Sequence, residues 1–406
     1  KSDVPVETSD IQTDDTQEDD TKAETADVQA DDAITEIADS QAEESEEKPL
    51  LPSNTSMRDI TTMQLVREMG IGINLGNTFE ACGDWISKSS IENYEKAWGS
   101  PIVTEKIIKG YADAGFGVLR IPVAWSNLMS EDGTYTINPD LMRKVQQVVN
   151  WTIDNGMYAI VNIHWDMGWI NEFPTNKTES MEKYTRIWTQ ICETFKDYGD
   201  YLMFESLNED LGWQEVWNRY SGNNNGKAES FELGNEINQV FVDLVRASGG
   251  NNSTRHLLIA GYNTDVELTC DPLYVMPNDP VGRSAVSIHY YTPSTLTLID
   301  EDVSWGKAKT TWGDEADLKE LDKYVQMMKT RFIDNGVPVI IGEYGCFGDN
   351  KTVETRNNYT LTVAKELYKA NMCPVLWSTP GDNQYDRANA EFIDKDMIEQ
   401  LFTILD

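Results

Sequence analysis

The chain has 406 residues, a formal net charge of −36, 12 Trp and three His. This excess of acid disfavours nucleic acid and anionic membranes as partners, and no apolar run approaches the ~18 residues that a membrane-spanning helix needs. The five Cys are widely spaced, without the paired spacing typical of structural zinc, so we predict mostly buried free thiols. We expect no metal and no cofactor.

The N-terminal segment differs in composition from the rest of the chain. Residues 1–50 contain 18 Asp and Glu against three Lys, and no Trp, Tyr, Phe or Cys. Such a segment cannot bury enough apolar surface to offset the entropy lost on ordering. We predict a disordered acidic linker over residues 1–55 and a single domain over residues 56–406. Because the numbering opens inside a linker, we expect a processed chain that followed a signal peptide, a lipid anchor or a binding module.

Beyond the linker, eight short apolar segments alternate with segments of helical periodicity. The predicted strands are residues 70–78, 117–123, 158–164, 201–209, 256–260, 285–289, 337–343 and 374–377. The predicted helices include residues 59–69, 104–114, 140–155, 184–195, 233–244, 318–332, 360–369 and 397–405. Strands and helices in this order predict an α/β fold, a (β/α)₈ TIM barrel, with its functional residues at the carboxyl ends of the strands.

Two of the predicted strands end in a carboxylic acid. The fourth ends in Asn208 and Glu209, and the seventh ends in Glu343. Because the carboxyl ends of parallel strands meet at one mouth of a barrel, we expect the two Glu to face each other there. Glu205 shares the strand parity of Glu209 but lies deeper, so we assign it to a structural ion pair at the barrel floor.

Other strand ends add a cation, imidazoles and aromatic rings to the same mouth. Arg120 interrupts the apolar second strand, and a buried cation requires partners, of which carboxylates cost least. His256 begins the fifth strand at the opposite end of the barrel and is assigned a structural role. The remaining candidates at the strand ends are His164, His289, Tyr291 and Trp377.

Six segments together resemble glycoside hydrolase family 5, the cellulase family of the retaining TIM-barrel clan. They are Leu75-Gly-Asn-Thr78, Leu119-Arg-Ile-Pro122, Asn162-Ile-His-Trp165, Phe204-Glu-Ser-Leu-Asn-Glu209, Ser287-Ile-His-Tyr-Tyr291 and Ile341-Gly-Glu-Tyr-Gly345. The resemblance covers about residues 57–406. The first segment is most similar to the subfamily of endoglucanases and xyloglucanases common in gut and rumen bacteria.

The resemblance implies that Glu209 is the acid/base and Glu343 the nucleophile of a two-glutamate double displacement. A barrel can hold such a pair about 5 to 5.5 Å apart, the separation typical of retention. We expect Arg120 to keep Glu343 ionised, and the negative charge of Glu343 to raise the pKa of Glu209. The resemblance also implies that Asn208 hydrogen-bonds the sugar 2-OH and that Tyr291 holds the nucleophile in place.

Further residues around the sugar follow from the same resemblance. His289 is expected to support the catalytic pair, and the expected substrate-binding residues are Asn77, His164, Trp165 and Trp377. Exposed tryptophans in loops suit the apolar faces of sugar rings, with packing of a long loop as the alternative for each. These loop residues are Trp85, Trp165, Trp169, Trp213, Trp305 and Trp312.

Three positions depart from the family pattern. Asp210 stands where Pro usually follows the acid/base, Ser378 rather than Trp follows Trp377, and Glu80 stands where Asp is frequent. The departures leave the hydrolytic residues untouched, so they bear on substrate preference.

The expected function is a secreted or cell-surface bacterial endo-β-1,4-glucanase, a monomer that hydrolyses β-linked plant cell-wall glucans. Xyloglucanase, mixed-linkage β-glucanase and β-mannanase stay open, since they share the catalytic residues. A metal-dependent barrel hydrolase is disfavoured because the first strand ends in Asn74-Leu75-Gly76, without a His-x-His ligand pair. A non-catalytic polysaccharide-binding barrel is the more remote alternative.

Overall fold

The computed structural model describes residues 49–212, 216–381 and 384–406. Most of the predicted linker, residues 1–48, and the loop residue Trp213 lie outside these ranges. Residues 49–55, which the sequence analysis assigned to the linker, hydrogen-bond to the barrel. Leu51 O accepts from Asn150 Nδ2 at 3.0 Å, and Asn54 O accepts from Gly199 N at 2.8 Å. Packing against the barrel therefore begins before residue 56.

The protein forms a closed barrel of eight parallel strands, as predicted. The strands are β1 (Gly72–Asn74), β2 (Val118–Ile121), β3 (Tyr158–Val161), β4 (Leu202–Glu205), β5 (Leu257–Ala260), β6 (Ser284–Tyr290), β7 (Val339–Tyr344) and β8 (Cys373–Leu376). Pairing of β1 with both β2 and β8 closes the sheet. Several predicted strands are longer than the observed ones because their apolar runs continue into buried loop residues.

Helices surround the barrel and connect its strands. They are α1 (Thr62–Met69), α2 (Ile91–Ala97), α3 (Glu105–Ala114), α4 (Pro139–Asp154), α5 (Lys177–Phe195), α6 (Lys227–Ala247), α7 (Val266–Cys270), α8 (Ser294–Thr297), α9 (Glu315–Arg331), α10 (Val353–Lys369) and α11 (Lys395–Phe402). Short 3₁₀ segments lie at Trp125–Leu128, Asp166–Glu172, Gly250–Ser253, Tyr262–Thr264, Ile333–Asn335 and Thr403–Leu405. A two-stranded antiparallel ribbon joins β9 (Tyr385–Asp386) to β10 (Glu391–Phe392).

The eight predicted helices are confirmed with shifted ends. The short helices α2, α7 and α8 and the ribbon were not predicted, because so few residues carry no clear periodicity. None of the described helices combines the length and the apolarity needed to span a bilayer. All five Cys are free thiols, and four of them are buried.

The barrel interior changes from apolar to polar along its axis. Near the amino ends of the strands, one set of alternate residues packs against α1. This set is Val118, Ile160, Met203, Leu258, Ala285, Ile340 and Val375. Side chains two positions further along a strand lie on the same face, and there they are Arg120, Asn162, Glu205 and Ser287. Apolar side chains therefore fill the barrel near the amino ends of the strands, and hydrogen-bonding side chains lie near the carboxyl ends.

An irregularity in β7 orients one of the candidate acids. Ile341 pairs with Ile288, but the next pair joins Glu343 to His289, so Gly342 is an extra residue on β7. Such a bulge shifts the alternation of side chains by one position, and it turns Glu343 towards the mouth. Gly342 leaves little room for a side chain, since a Cβ there would lie 3.0 Å from Nε2 of His289, which would have to shift.

Candidate active site

Arg120, on β2, is the centre of a hydrogen-bond network across the barrel. Its Nε donates to Oε2 of Glu205 at 2.7 Å, and its Nη1 donates to Oε1 of Glu343 at 2.8 Å. Two further bonds run to Oδ1 of Asn74 at 3.0 Å and Oδ1 of Asn208 at 2.9 Å. Burial lowers the pKa of the guanidinium, but the two carboxylates outweigh burial and raise the pKa, so Arg120 stays charged.

Glu205 forms the floor of this network. Its side chain is fully buried and accepts hydrogen bonds from Oγ of Ser287 at 2.6 Å and Nδ2 of Asn162 at 3.0 Å, in addition to Arg120. Because these partners all come from the barrel strands and their ends, Glu205 has the structural ion-pair role expected from the sequence. The charge of Arg120 is therefore divided between two carboxylates.

Two carboxylic acids and one imidazole meet above this floor. Glu343 is 6% exposed, and its Oε2 accepts from Oη of Tyr291 at 3.0 Å. Glu209 lies in the turn after β4, with a side chain that is 45% exposed. Nδ1 of His289 lies 2.6 Å from Oε1 of Glu209 and 3.6 Å from Oε2 of Glu343. One donor atom from each of these three side chains lies within 4.8 Å of the others.

The pKa order of the two acids differs from the sequence expectation. Burial raises the pKa of Glu343, and His289 and Arg120 do not fully offset it. Burial also raises the pKa of Glu209, but the hydrogen bond with His289 and the charges around the carboxyl, including those of Arg120 and Arg219, together outweigh burial and lower the pKa. The sequence predicts the opposite order of pKa values. That prediction includes neither the hydrogen bond between His289 and Glu209 nor the ion pair with Glu205, which divides the positive charge of Arg120 between two carboxylates. Because each carboxyl lies close to the other, the charge of one affects the pKa of the other.

Glu209, His289 and Glu343 are also a donor set that could bind a metal. Both oxygens of Glu343 already accept hydrogen bonds, from Arg120 and Tyr291. A metal cation here would lie close to the charged guanidinium of Arg120, which disfavours it electrostatically. The arrangement fits a hydrogen-bonded cluster better than a metal site.

A cavity of about 510 Å³ opens beside Glu209 at the carboxyl ends of the strands. Its lining residues are Asn77, Glu80, Trp98, His164, Trp165, Asn171, Asn208, Glu209, Asp210 and Trp377. Six of these are site residues predicted from the sequence. The other four predicted residues, Arg120, His289, Tyr291 and Glu343, lie in the adjoining network, so the structure brings all ten to one mouth.

Trp377 and His164 form one wall of the cavity. Their rings lie nearly parallel, at 9°, with centroids 5.9 Å apart. Gly76 permits this position of the indole, because a Cβ on Gly76 would lie 2.9 Å from the ring of Trp377. Burial lowers the pKa of His164 well below its usual value, so its imidazole is neutral and can both donate and accept a hydrogen bond.

Trp165 reaches the cavity from a strained loop after β3. Trp165, Asp166 and Met167 have positive φ angles of 43°, 50° and 62°, a conformation that costs on the order of 1 kcal/mol or more for each such residue. Buried Asp166 holds the loop, since it accepts from the backbone N of Ser126 at 2.8 Å and from Nε1 of Trp169 at 2.7 Å. The indole of Trp165 is thereby fixed with 48% of the residue exposed.

Four cavity residues were not assigned to the site from the sequence: Glu80, Trp98, Asn171 and Asp210. Glu80 and Asp210 were noted only as departures from the family pattern, and burial raises the pKa of each to about 7. Trp98 carried the general signal of an aromatic residue in a loop, and Asn171 carried none.

The other loop tryptophans do not line this cavity among the described residues. Trp169 and Trp312 are buried, as the loop-packing alternative requires, whereas Trp85 and Trp305 are exposed.

Comparison with known proteins supports a single family. The family model "Cellulase (glycosyl hydrolase family 5)" matches residues 79–383. Endoglucanase B of Clostridium cellulovorans is 35% identical over 341 residues, which cover 84% of this chain and 72% of that protein. A xyloglucan-specific endo-beta-1,4-glucanase of Bacteroides ovatus is 38% identical over 349 residues, which cover 81% of this chain and 67% of that protein.

A solved structure agrees with these relatives. The GH5-4 broad specificity endoglucanase from an uncultured bovine rumen ciliate superposes with a TM-score of 0.76 at 33% identity, covering 85% of this chain and 98% of that chain. The family match extends over most of the described barrel and includes both strand-end glutamates. The chain therefore belongs to glycosyl hydrolase family 5, the cellulase family.

Proposed function

We propose that the protein is a retaining endo-β-1,4-glucanase that hydrolyses β-linked plant cell-wall glucans. The observation that carries the proposal is the pair of Glu209 and Glu343, which offer oxygens within 4.8 Å of each other above Arg120. Retaining glycosidases hold their carboxyl groups about 5 to 5.5 Å apart, whereas inverting enzymes leave about 6.5 to 9.5 Å for a water molecule. The short separation favours double displacement.

In the first step, a carboxylate oxygen of Glu343 attacks the anomeric carbon while Glu209 gives its proton to the glycosidic oxygen. The bond to the leaving oxygen breaks, and a glycosyl ester of Glu343 forms. In the second step, water attacks the anomeric carbon, Glu209 takes up its proton, and Glu343 leaves as a carboxylate. Hydrogen bonds from Tyr291 and Arg120 position Glu343 for both steps.

His289 holds the carboxyl of Glu209 in place, since its Nδ1 lies 2.6 Å from Oε1 of Glu209. A sugar bound over the exposed part of Glu209 displaces water from the carboxylate and raises its pKa, which favours the protonated form that acts as the acid. After Glu209 has given its proton to the glycosidic oxygen, the Nδ1–H of a neutral His289 can donate a hydrogen bond to the ionised carboxylate, which then acts as the base.

The cavity walls suit a neutral sugar chain. Because Oδ1 of Asn208 accepts from Arg120, its Nδ2 is left to donate to a sugar hydroxyl. Trp165 and Trp377 offer aromatic faces to the apolar faces of sugar rings, and Asn77 contributes an amide.

Xyloglucan is the second candidate substrate, because a xyloglucan-specific relative is 38% identical to this chain over 349 residues. Mixed-linkage β-glucan and mannan need the same catalytic residues and complete the set of substrates to test. We further propose that the protein acts as a monomer, secreted or at a bacterial cell surface, where polymers of this size are accessible.

The test compares initial rates on carboxymethyl cellulose, barley glucan, xyloglucan and glucomannan, with proton NMR of the fresh products. We expect a rapid fall in viscosity, the β-anomer first, and activity that resists EDTA. Glu343→Gln should bind the polysaccharide without turnover. Binding by the native chain without any product would favour the non-catalytic barrel, and the α-anomer first would exclude the retaining route.

A further inference from the structure

We propose that Asn263 is a positioning residue for the acid/base Glu209, and that Arg219 and Asp265 hold Asn263 in its working orientation. The proposal rests on the proposed function, in which Glu209 donates and accepts the catalytic proton. Asn263 lies in the loop after β5 and is not among the residues that line the cavity.

Glu209 lies beyond the part of β4 that the barrel holds in place. β4 ends at Glu205, four residues earlier. The carbonyl of Glu209 accepts a hydrogen bond at 2.6 Å from Nδ2 of Asn263. Its carboxyl is held independently by His289, on β6. The acid/base is thus fixed at two points, one on the side chain and one on the backbone.

Arg219 determines which end of the Asn263 amide faces Glu209. Nη1 of Arg219 donates to Oδ1 of Asn263 at 2.6 Å. Because a guanidinium only donates, the amide oxygen must face Arg219, and the amide NH₂ must face the carbonyl of Glu209. Nη2 of Arg219 donates to Oδ2 of Asp265 at 2.5 Å, and Oδ1 of Asp265 accepts from the backbone N of Leu268 in α7. These bonds connect the turn at Glu209 to a helix N-terminus.

The backbone at Asn263 supports the same interpretation. Asn263 is left-handed, with φ 51° and ψ 20°, and Thr264 follows with φ 46°. This conformation is unfavourable for most side chains and least so for Asn and Asp. Asn263 is only 7% exposed, and both polar ends of its amide are hydrogen-bonded. A buried amide fixed in this way can hold a neighbouring peptide rigidly.

The test uses the full chain with two substitutions at Asn263. Asn263→Gly keeps the left-handed backbone and removes the amide, whereas Asn263→Asp keeps the size and places an oxygen opposite the carbonyl of Glu209. Asn371→Gly is the matched control, because Asn371 is also left-handed, with φ 63°, but is exposed and precedes β8 at the opposite end of the barrel. Circular dichroism melting checks that each variant folds.

The readout is kcat/KM on phenyl β-cellobioside and on 2,4-dinitrophenyl β-cellobioside. Only the phenyl glycoside needs its leaving oxygen protonated, so we expect Asn263→Gly to lose about 10- to 100-fold on it and under about 3-fold on the dinitrophenyl glycoside. Asn263→Asp should likewise lose more activity on the phenyl glycoside than on the dinitrophenyl glycoside. This difference should be larger in Glu209→Ala, and Asn371→Gly should retain its activity on both glycosides.

Two results would overturn the positioning role: equal losses on both glycosides in the Asn263 variants, or no loss in either variant. Both are judged with a Glu209→Ala variant that loses more activity on the phenyl glycoside than on the dinitrophenyl glycoside. If Asn263→Gly does not fold, Asn263→Asp decides by the same comparison. A Glu209→Ala variant that loses activity equally on both glycosides overturns the acid/base assignment and the positioning role together.

Discussion

Oε1 of Glu209 and Nδ1 of His289 lie 2.6 Å apart, so the exposed carboxyl at the barrel mouth is hydrogen-bonded to an almost buried imidazole. Glu209 and His289 therefore form a hydrogen-bonded pair, and His289 holds the carboxyl that the proposed mechanism uses as acid/base. Glu343, 3.6 Å from the same nitrogen, responds to the charge of that pair.

Replacing His289 with Asn should shift the pH profile. The hydrogen bond with His289 lowers the pKa of Glu209 against the effect of burial, so the pKa rises when the imidazole is removed. Because kcat/KM falls at high pH when the acid loses its proton, we expect the basic limb to move to higher pH and the maximum to fall about 10- to 100-fold. Steady-state kinetics across the acid and neutral range measure both. A basic limb that stays in place would contradict the pairing.

Replacing Glu205 with Gln should lower the free energy of unfolding of the barrel. The change removes one of the two carboxylates that pair with Arg120 in a fully buried site and leaves Glu343 as the other, so we expect a loss of about 1 to 3 kcal/mol of unfolding free energy from the unsatisfied buried hydrogen bonds. Urea denaturation of both proteins measures the difference. Asp59→Asn is the control, because Asp59 pairs with Arg283 at an exposed surface and should matter little. Equal effects of the two substitutions would contradict a structural role for the buried pair.

Asp210 should make stability depend on pH. Burial raises its pKa from 3.8 to about 7, so between these values the folded chain keeps a proton that the unfolded chain loses. Stability therefore falls as pH rises through this window and levels off above about 7. Since one pKa unit corresponds to about 1.4 kcal/mol, the contribution is on the order of 4 kcal/mol.

Asp210→Asn tests this contribution. The amide cannot ionise, and its oxygen can still accept from the backbone N of Asn208, as Oδ2 of Asp210 does at 3.0 Å. Chemical denaturation on either side of the window should show a smaller decline for the variant than for the native chain. Glu80, with a pKa also near 7, contributes equally to both proteins. The same decline in both would show that Asp210 is ionised throughout.

Trp98 should contribute to substrate binding. It lines the cavity with 36% of its surface exposed, and loss of an aromatic face against sugar rings should raise KM for long cello-oligosaccharides about 5- to 20-fold in Trp98→Ala. Trp85→Ala is the matched control, since Trp85 lies in the same connection between β1 and α3, on the other side of α2, is 69% exposed and does not line the cavity. Equal changes in KM for the two variants would contradict a role of Trp98 in substrate binding.

Much of the fold could be predicted because barrel strands are buried on both faces and read as short apolar runs. The order of strands and helices then placed Glu209 and Glu343 at one mouth. The bulge at Gly342 could not be predicted, since simple alternation would put Gly342 inward and Glu343 outward. The pKa order was missed because it depends on a 2.6 Å contact with His289.

Contacts between loops left no sequence signal. Asn263 reaches Glu209 from 54 positions away, and neither loop has a periodicity that would pair them. Trp98 was visible as a loop aromatic, but only the folded loop shows that it faces the cavity whereas Trp85 does not. Side chains on strands follow from alternation, whereas those on loops need the three-dimensional structure.

The proposed mechanism requires Glu343 to form a covalent bond to the sugar and Glu209 to donate and accept the proton. Incubation with 2,4-dinitrophenyl 2-deoxy-2-fluoro-β-cellobioside, followed by peptide mass spectrometry, tests it directly because the fluorine slows hydrolysis of the glycosyl ester. We expect one sugar on the peptide that contains Glu343, in the native chain and in Glu209→Ala, and none in Glu343→Gln. A label on Glu209, or an unlabelled protein that still releases dinitrophenol, would contradict the claim.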